Sequence, residues 1–145
     1  WFKHSSNISG TDYLLANFND AGYKIYMTSA GALCLGIDDD STWGPDDSTC
    51  TPYAYNDSRW HHFAAIKSGT ASITMYIDGL QASQNASLSA TSSLNTDSSL
   101  YIGNDTDGGS NGWVGFLDQI VVYNYARSAA QVKVDHNGGT ANFGP

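Results

Sequence analysis

The chain has 145 residues, of which 41% are apolar, so its length suits one domain with a hydrophobic core and is short for two. Its net charge of -8 at pH 7 and its pI near 4.4 argue against a nucleic acid or an anionic membrane surface as partner. No apolar run approaches the ~20 residues of a membrane-spanning helix, so we expect no membrane insertion.

The sequence predicts a succession of short strands separated by turns. Its 15 glycines, few long charged side chains and many Ser, Thr, Tyr, Val and Ile residues favour an all-β sandwich over a helical fold. In chain order, alternation and turn signals predict strands over residues 1–4, 13–18, 23–28, 32–37, 59–67, 73–78, 80–84, 100–103 and 113–125. A long loop is predicted over residues 38–58.

Residues 59–79 are predicted to form the central β-hairpin, because side chains alternate along both of its arms. In the first arm, Trp60 and His62 fall on one face and His61 on the other, so the two adjacent histidines are not expected to chelate one metal ion. Such a hairpin needs a second layer to cover its apolar face. The main inward positions are predicted to include Trp60, Phe63, Ile66, Ile73, Met75, Ile77, Ile102, Phe116, Ile120 and Val122.

After the last predicted strand, Ser128 and Gln131 have the spacing of a capping box and predict a short helical turn. Residues 135–145 are rich in glycine and are predicted to be a tail or linker. The domain is therefore predicted to span residues 1–134. The chain begins in strand-like alternation at Trp1, which we interpret as a fragment of a longer parent protein with neighbouring domains.

Cys34 and Cys50 are the two cysteines of the chain and flank a polar loop, so we predict that they pair. Two buried free thiols are the alternative. In the chain-entropy model, a bond closing a loop of about this length contributes roughly 3 kcal/mol. A disulfide would place the protein outside the cytosol, either secreted or at a cell surface.

All 14 acidic residues are Asp, a residue that favours turns and is a common ligand of hard cations. If residues 29–31 turn one strand into the next, Asp20 and Asp38 lie side by side. A Cys34–Cys50 bond would bring further carboxylates to the same rim, where their repulsion favours a bound Ca²⁺. The carboxylates predicted to follow Asp38 on this rim are Asp39, Asp40, Asp46 and Asp47.

Four motifs match a known family: Trp-His-His-Phe-Ala-Ala at 60–65, Met-Tyr-Ile-Asp-Gly at 75–79, Leu-Tyr-Ile-Gly at 100–103, and Gly-Phe-Leu-Asp-Gln-Ile-Val-Val-Tyr-Asn-Tyr-Ala-Arg-Ser at 115–128. With them the chain resembles the LamG-like jelly rolls of the concanavalin A-like lectin/glucanase superfamily. The resemblance implies an antiparallel two-sheet jelly-roll sandwich that serves as an accessory module of extracellular or surface proteins. Such domains usually have a strand before the position of Trp1, which another segment or chain would then supply.

The resemblance also implies a calcium site. In laminin-G-type relatives, matching positions are Asp20 and Asp97, with a backbone carbonyl near Asp38 between them. A rival site is similar to that of the pentraxins and would use Asp12, Asp105 and Asp107. A third interpretation is that all these carboxylates are solvated turn residues. We favour the rim of Asp20 and residues 38–47, because it has more carboxylates and a predicted disulfide.

Hydrolase activity is not expected, although the superfamily includes glucanases. Retaining glycosidases of this architecture use paired Glu residues on one strand, and the chain contains no Glu. The Asp-x-Asp pairs, Asp38 with Asp40 and Asp105 with Asp107, lie in predicted loops.

Two functions outside catalysis remain. The first is binding of a carbohydrate or surface protein, with loop aromatics stacking on the ligand; the candidates Trp43, Tyr53, Tyr55 and Trp113 lie in or beside predicted loops. The alternative for each is an aromatic plug at the end of the core. The second function is a structural or adhesive module of a surface fibre, a pilus-like filament or a virion.

Overall fold

The structure is a computed structural model that describes residues 1–5, 10–105 and 110–138. It contains eleven strands and one helix: β1 Phe2–His4, β2 Asp12–Phe18, β3 Gly22–Met27, β4 Ala32–Asp38, β5 Asp47–Ala54, β6 Trp60–His61, β7 Phe63–Ser68, β8 Ser72–Ile77, β9 Leu80–Asn85, β10 Tyr101–Ile102, β11 Gly115–Leu117 and α1 Ala129–His136.

The strands form antiparallel sheets of five, three and three strands. The five-stranded sheet has the order β10-β2-β3-β4-β5, and the other two have the orders β11-β1-β6 and β7-β8-β9. Only His62 separates β6 from β7, so one chain segment passes directly from one three-stranded sheet into the other. The predicted antiparallel jelly-roll sandwich is confirmed.

One hydrophobic core joins all three sheets. Alternate residues of β3 and β4 face it from the five-stranded sheet, as the two-residue period of a strand requires. The three-stranded sheets contribute Phe2 from β1 and Ile73, Met75 and Ile77 from β8. The fully or almost fully buried members of this cluster are Phe2, Leu14, Leu15, Ile25, Met27, Leu33, Leu35, Ile37, Ile73, Met75, Ile77 and Ala90.

Part of the predicted core is wrong. The exposed fractions are 45% for Trp60, 53% for Ile102, 64% for Phe116 and 63% for Val122. The reason for Trp60 is that the predicted strand 59–67 is broken at His62, so no single alternation runs through both of its halves.

The pairing of β7 with β8 shows which face of β7 is inward. Phe63 is the register partner of Ile77, and Ala65 is the register partner of Met75. Since opposite residues of an antiparallel pair share a face, Phe63 and Ala65 pack against the core cluster. Ile66 is buried as predicted, but it lies on the other face of β7, opposite Thr74.

Two predicted boundaries are also wrong. The predicted loop 38–58 contains β5, whose inward residues Asp47, Thr49 and Thr51 are polar, so the strand carries no apolar alternation. The predicted strand 113–125 is reduced to the three residues of β11. Gln119 has a φ of 49°, a left-handed conformation that interrupts extended pairing just after β11.

The capping box is confirmed at the start of α1. The Ser128 hydroxyl accepts a hydrogen bond from the Gln131 amide, and the Gln131 side chain accepts one from the Ser128 amide. The helix continues to His136 and buries Val132. Within the described residues, no helix is long and apolar enough to cross a membrane.

Candidate functional site

The acidic loop, residues 39–46, connects β4 with β5. Its base is closed by the Cys34–Cys50 disulfide, which confirms the predicted pairing. Asp38 is completely buried at the end of β4, and its carboxylate accepts hydrogen bonds from the amides of Asp40 and Gly44. The loop therefore folds around a buried carboxylate.

Three carboxylates meet in this loop. One oxygen each from Asp38, Asp40 and Asp46 lies within 4.8 Å of the others. Oxygens bound to one Ca²⁺ at about 2.3–2.6 Å lie at most about 5 Å apart across the ion, so the donor spacing fits such an ion. The predicted rim is thus partly assembled by the fold, with Asp38 as its least exposed member.

Asp39, the remaining acidic residue of the loop, interacts with this group of three carboxylates. The Asp39 carboxylate accepts a hydrogen bond of 2.7 Å from the Ser92 amide, which is the main reason why the pKa of Asp39 is lowered. The Asp39 amide donates to Asp46 and favours its charged form. This effect is outweighed by desolvation, by the hydrogen bond between the Asp39 and Asp46 carboxyl groups, and by the charges of Asp38 and Asp39. The pKa of Asp46 is therefore raised. A cation between these groups would relieve their repulsion.

Asp47 has a different role from its neighbours. Its carboxylate accepts hydrogen bonds from the Ser89 and Ala90 amides at 2.8 Å and 2.7 Å, and a weaker one from the Asn85 amide group. Asp47 therefore fastens the chain after β9 to the start of β5. Asp20 precedes the Gly22 that pairs with Asp38, but neither Asp20 nor Asp97 belongs to the three-carboxylate group.

The rival calcium ligands are distributed differently. The Asp12 carboxylate bonds the fully buried His4 ring at 2.7 Å, and the other nitrogen of that ring donates to the Ser5 carbonyl at 2.6 Å. Among the described residues, one buried carboxylate oxygen of Asp105 has no hydrogen-bond partner. Asp107 lies outside the described residues.

Trp43 packs over the outer face of the five-stranded sheet. Its ring lies over Gly36, where a Cβ would come within 3.2 Å of the indole. The Lys24 ammonium lies 4.6 Å from the Trp43 ring centroid and 5.3 Å from those of Tyr13 and Phe18. Burial lowers the pKa of Lys24, and the charges of Asp105 and Asp38 oppose this shift. Trp43 therefore anchors the acidic loop to the sheet.

Tyr53 and Tyr55 line one open groove at the far end of β5. The groove has a volume of about 390 Å³ and lies between β5 and the β8–β9 hairpin. The Tyr53 side chain is 72% exposed, whereas Tyr55 packs edge-on against His61. Desolvation and the nearby charge of Asp78 raise the pKa of Tyr55. Asp78 and Gln81 are polar members of the lining, and the remaining members are Pro52, Ile77, Leu80 and Ala82.

Asp78 is held rigidly in this groove. Its carboxylate accepts a hydrogen bond from the His62 amide at 2.9 Å and bonds the His61 ring at 2.8 Å. Its own amide donates to the His62 carbonyl. Asp78 has a φ of 51° and Gly79 one of 78°, the pair of left-handed residues that a tight hairpin turn requires. The turn therefore fixes the direction of the carboxylate.

Trp113 lies away from both of these regions. Its ring packs edge-on against Phe2 and His4 and contributes to the edge of the core. The four predicted ligand-binding aromatics are thus dispersed: Tyr53 and Tyr55 share a groove, whereas Trp43 and Trp113 do not lie in it.

Sequence reasoning missed the polar residues of the groove. The left-handed turn at Asp78 and Gly79 directs the Asp78 carboxylate towards the tyrosines. Gln81 follows three residues later in β9 with no local motif to single it out. The missing information was the packing of β5 beside the β8–β9 hairpin, a contact between segments that are distant in the sequence.

Comparisons with known proteins agree with this architecture. The binding domain of Paraclostridial Mosquitocidal Protein 1 is similar in fold, with a TM-score of 0.74 and 17% identity over 94% of this chain. The chain spans only 35% of the length of that structure. A comparison with curated proteins finds no match.

Two further solved structures share the fold. The heptameric SAP-like pentraxin from Limulus polyphemus has a TM-score of 0.68 and 19% identity over 93% of this chain and 67% of its own. A putative carbohydrate binding protein from Bacteroides ovatus has a TM-score of 0.64 and 14% identity over 91% of this chain and 38% of its own. Residues 1–133 match the family profile described as the concanavalin A-like lectin/glucanases superfamily, and the chain belongs to this family.

Proposed function

We propose that the chain is a non-catalytic carbohydrate-binding module that acts outside the cytosol. The observation that carries this proposal is the groove in which the exposed ring of Tyr53 lies beside Tyr55, Asp78 and Gln81. An aromatic face beside fixed polar groups is the arrangement that recognises a sugar ring. The family, whose members include lectins, and the Cys34–Cys50 disulfide support the proposal.

The groove residues would divide the work of binding. The exposed Tyr53 ring offers a flat apolar surface to the C–H face of a pyranose. Each oxygen of the Asp78 carboxylate already takes part in one hydrogen bond, and each keeps a lone pair for a sugar hydroxyl. Because these bonds fix Asp78 before the ligand arrives, little conformational entropy is lost on binding.

The test is a glycan array followed by calorimetry with any sugar that binds. Tyr53→Ala should weaken binding about three- to tenfold through loss of stacking, whereas Tyr53→Phe keeps the ring and most of the affinity. Tyr125→Ala is the matched control, because Tyr125 is also an exposed tyrosine but lies outside the groove. No binding across the array, or equal losses in Tyr53→Ala and Tyr125→Ala, would contradict the proposal.

We further propose that Asp38, Asp40 and Asp46 bind Ca²⁺. Three carboxylates within 4.8 Å supply part of the six to eight oxygens that the ion accepts, and carbonyls or water would supply the rest. When bound, the ion would offset two of the negative charges of Asp38, Asp39, Asp40 and Asp46. We infer a role in ordering this loop, because the loop is bound to the sheet through Trp43.

Calorimetric titration of Ca²⁺ into chelator-treated protein tests this site, with the melting temperature followed in parallel. Asp40→Asn combined with Asp46→Asn should abolish both the heat of binding and the rise in melting temperature. Asp105→Asn is the control and should leave both unchanged. If Asp105→Asn abolishes binding instead, the rival site is correct, and no heat at millimolar Ca²⁺ contradicts both.

A further inference from the structure

The sheet β11-β1-β6 presents an alternating inner and outer face. Phe2 and His4 are completely buried, so the residue between them, Lys3, is directed outward. Lys3 is the register partner of Phe116 in β11 and of Trp60 in β6. Opposite residues of antiparallel strands share a face, so Phe116, Lys3 and Trp60 form a row across the outside of this sheet. We call this row the aromatic–lysine strip.

The strip is open to solvent. Trp60 is 45% exposed and Phe116 is 64% exposed, although both residues are strongly apolar. Their ring centroids are 6.4 Å apart, and the Lys3 ammonium lies 5.9 Å from the Phe116 centroid. Two aromatic rings, tilted by 45° to each other, therefore lie beside one cation on the outside of this three-stranded sheet.

Lys3 also differs in its electrostatic environment from Arg127 and Lys24. Arg127 forms an ion pair with Asp135, and the Lys24 side chain is buried under Trp43. Over residues 1–5, 10–105 and 110–138, no carboxylate lies within ion-pair distance of Lys3. Next to Trp60, the Arg59 side chain is 81% exposed, and its Nε lies 3.8 Å from the Asp57 carboxylate.

We propose that the aromatic–lysine strip binds one acidic sugar unit, such as a single uronic acid of an otherwise neutral polysaccharide, because the net charge of -8 disfavours a long polyanion. The apolar C–H face of the sugar ring would pack on Trp60 and Phe116, and its carboxylate would pair with Lys3. The exposed aromatic rings beside a cation favour this ligand over an acidic peptide, because the C–H face of a pyranose packs on an aromatic ring and an Asp or Glu side chain offers no such face. The inference rests on the proposed carbohydrate binding and adds a second surface and a sugar class to it.

The experiment is an NMR or calorimetric titration with trigalacturonate and with its fully methyl-esterified form, which keeps the rings and removes the charges. Trigalacturonate should bind more tightly than the ester, because only its carboxylate can pair with Lys3. Lys3→Gln should weaken trigalacturonate binding about two- to fivefold and leave ester binding unchanged. Lys133→Gln, which removes an exposed lysine on α1, is the matched control and should have no effect.

Trp60→Ala should weaken binding of both forms about three- to tenfold, because stacking does not depend on charge. Tyr53→Ala should leave trigalacturonate binding intact, which separates the strip from the groove. The inference is overturned if trigalacturonate does not bind at millimolar concentration, if Tyr53→Ala rather than Trp60→Ala abolishes its binding, or if Lys3→Gln and Lys133→Gln behave alike. In the first case, neutral-glycan binding in the groove would still stand, so the two failures are distinguishable.

Self-association is the competing use of the strip. Sedimentation should show a monomer at all concentrations tested. A concentration-dependent dimer that Trp60→Ala or Lys3→Gln dissociates would assign the strip to a second copy of the chain and overturn the inference.

Discussion

Two long segments without regular structure behave in opposite ways. The acidic loop, residues 39–46, is polar and yet strongly fastened, with a disulfide at its base and Trp43 packed over Gly36. Residues 118–127, which follow β11, contain a β-favouring run from Ile120 to Tyr123 and yet form no strand. In that segment, Val121 and Val122 are more than 60% exposed.

The difference shows that polarity is a poor measure of how well a loop is held. The short side-chain carboxylates of residues such as Asp38 accept hydrogen bonds from backbone amides within the loop and so stabilise its turns. The apolar segment has few such bonds. It is attached at its ends, where Asp118 bonds Trp1 and Arg127 bonds Asp135.

The largest expected effect is loss of the disulfide. Replacing Cys34 and Cys50 together by Ala should lower the free energy of unfolding by roughly 3 kcal/mol, because a 16-residue separation is no longer constrained in the unfolded chain. Urea denaturation of the oxidised protein and of the variant measures this. An unchanged urea midpoint would mean that the acidic loop is held in place without the disulfide. The disulfide would then not explain the difference from residues 118–127.

Truncation of Trp43 should have the next largest effect. Trp43→Ala removes a half-buried ring and its contacts with Lys24 and Gly36, so we expect a loss of about 1–2 kcal/mol. Trp43→Phe should recover part of it, because a smaller ring still covers the ammonium. Equal losses for both variants would show that the ring face over Lys24 contributes nothing.

A third prediction concerns pH. Desolvation, then repulsion from the amino terminus and His136, lowers the pKa of the buried His62 below its ordinary value of 6.5. Between the folded and the unfolded pKa, the unfolded chain binds more protons, so stability falls as the pH decreases below 6.5. Above that pH, His62 is neutral in both states and this contribution is fully retained.

Melting temperatures of the protein and of His62→Gln, measured from pH 7.5 to pH 5, isolate this group from the other histidines. The variant should lose stability less steeply than the protein over this range. If the two profiles run parallel, the burial of His62 beside Trp1 and His136 does not control the pH dependence.

These regions also show how far the sequence could be interpreted. Strands with apolar alternation, such as β3, β4 and β8, were predicted closely, because a two-residue period specifies a buried face. The strand β5 was missed because Thr49 and Thr51 replace apolar residues on its inward side. One oxygen each of Asp38, Asp40 and Asp46 lies within 4.8 Å of the others, whereas Asp20, which hairpin register was expected to place beside Asp38, is outside this group.

The interpretation failed where distant packing or a single backbone angle decides the outcome. The alternation in 59–67 could not reveal the break at His62, which leaves Trp60 exposed while Phe63 packs against the core. The groove at Tyr53 and Asp78 depends on two segments more than 20 residues apart that pack side by side. No local pattern encodes that contact.

The smallest expected effect concerns residues 118–127, the more exposed of the two segments. Val122→Ser should change the free energy of unfolding by less than about 0.5 kcal/mol, because the side chain is 63% exposed and leaves little packing to lose. Val132→Ala is the informative contrast: Val132 is completely buried in α1, and removing two methyl groups there should cost roughly 1.5 kcal/mol or more. Both values come from urea denaturation under the same conditions. If Val122→Ser costs as much as Val132→Ala, residues 118–127 are covered in solution, and their apolar sequence pairs or packs as its composition predicts.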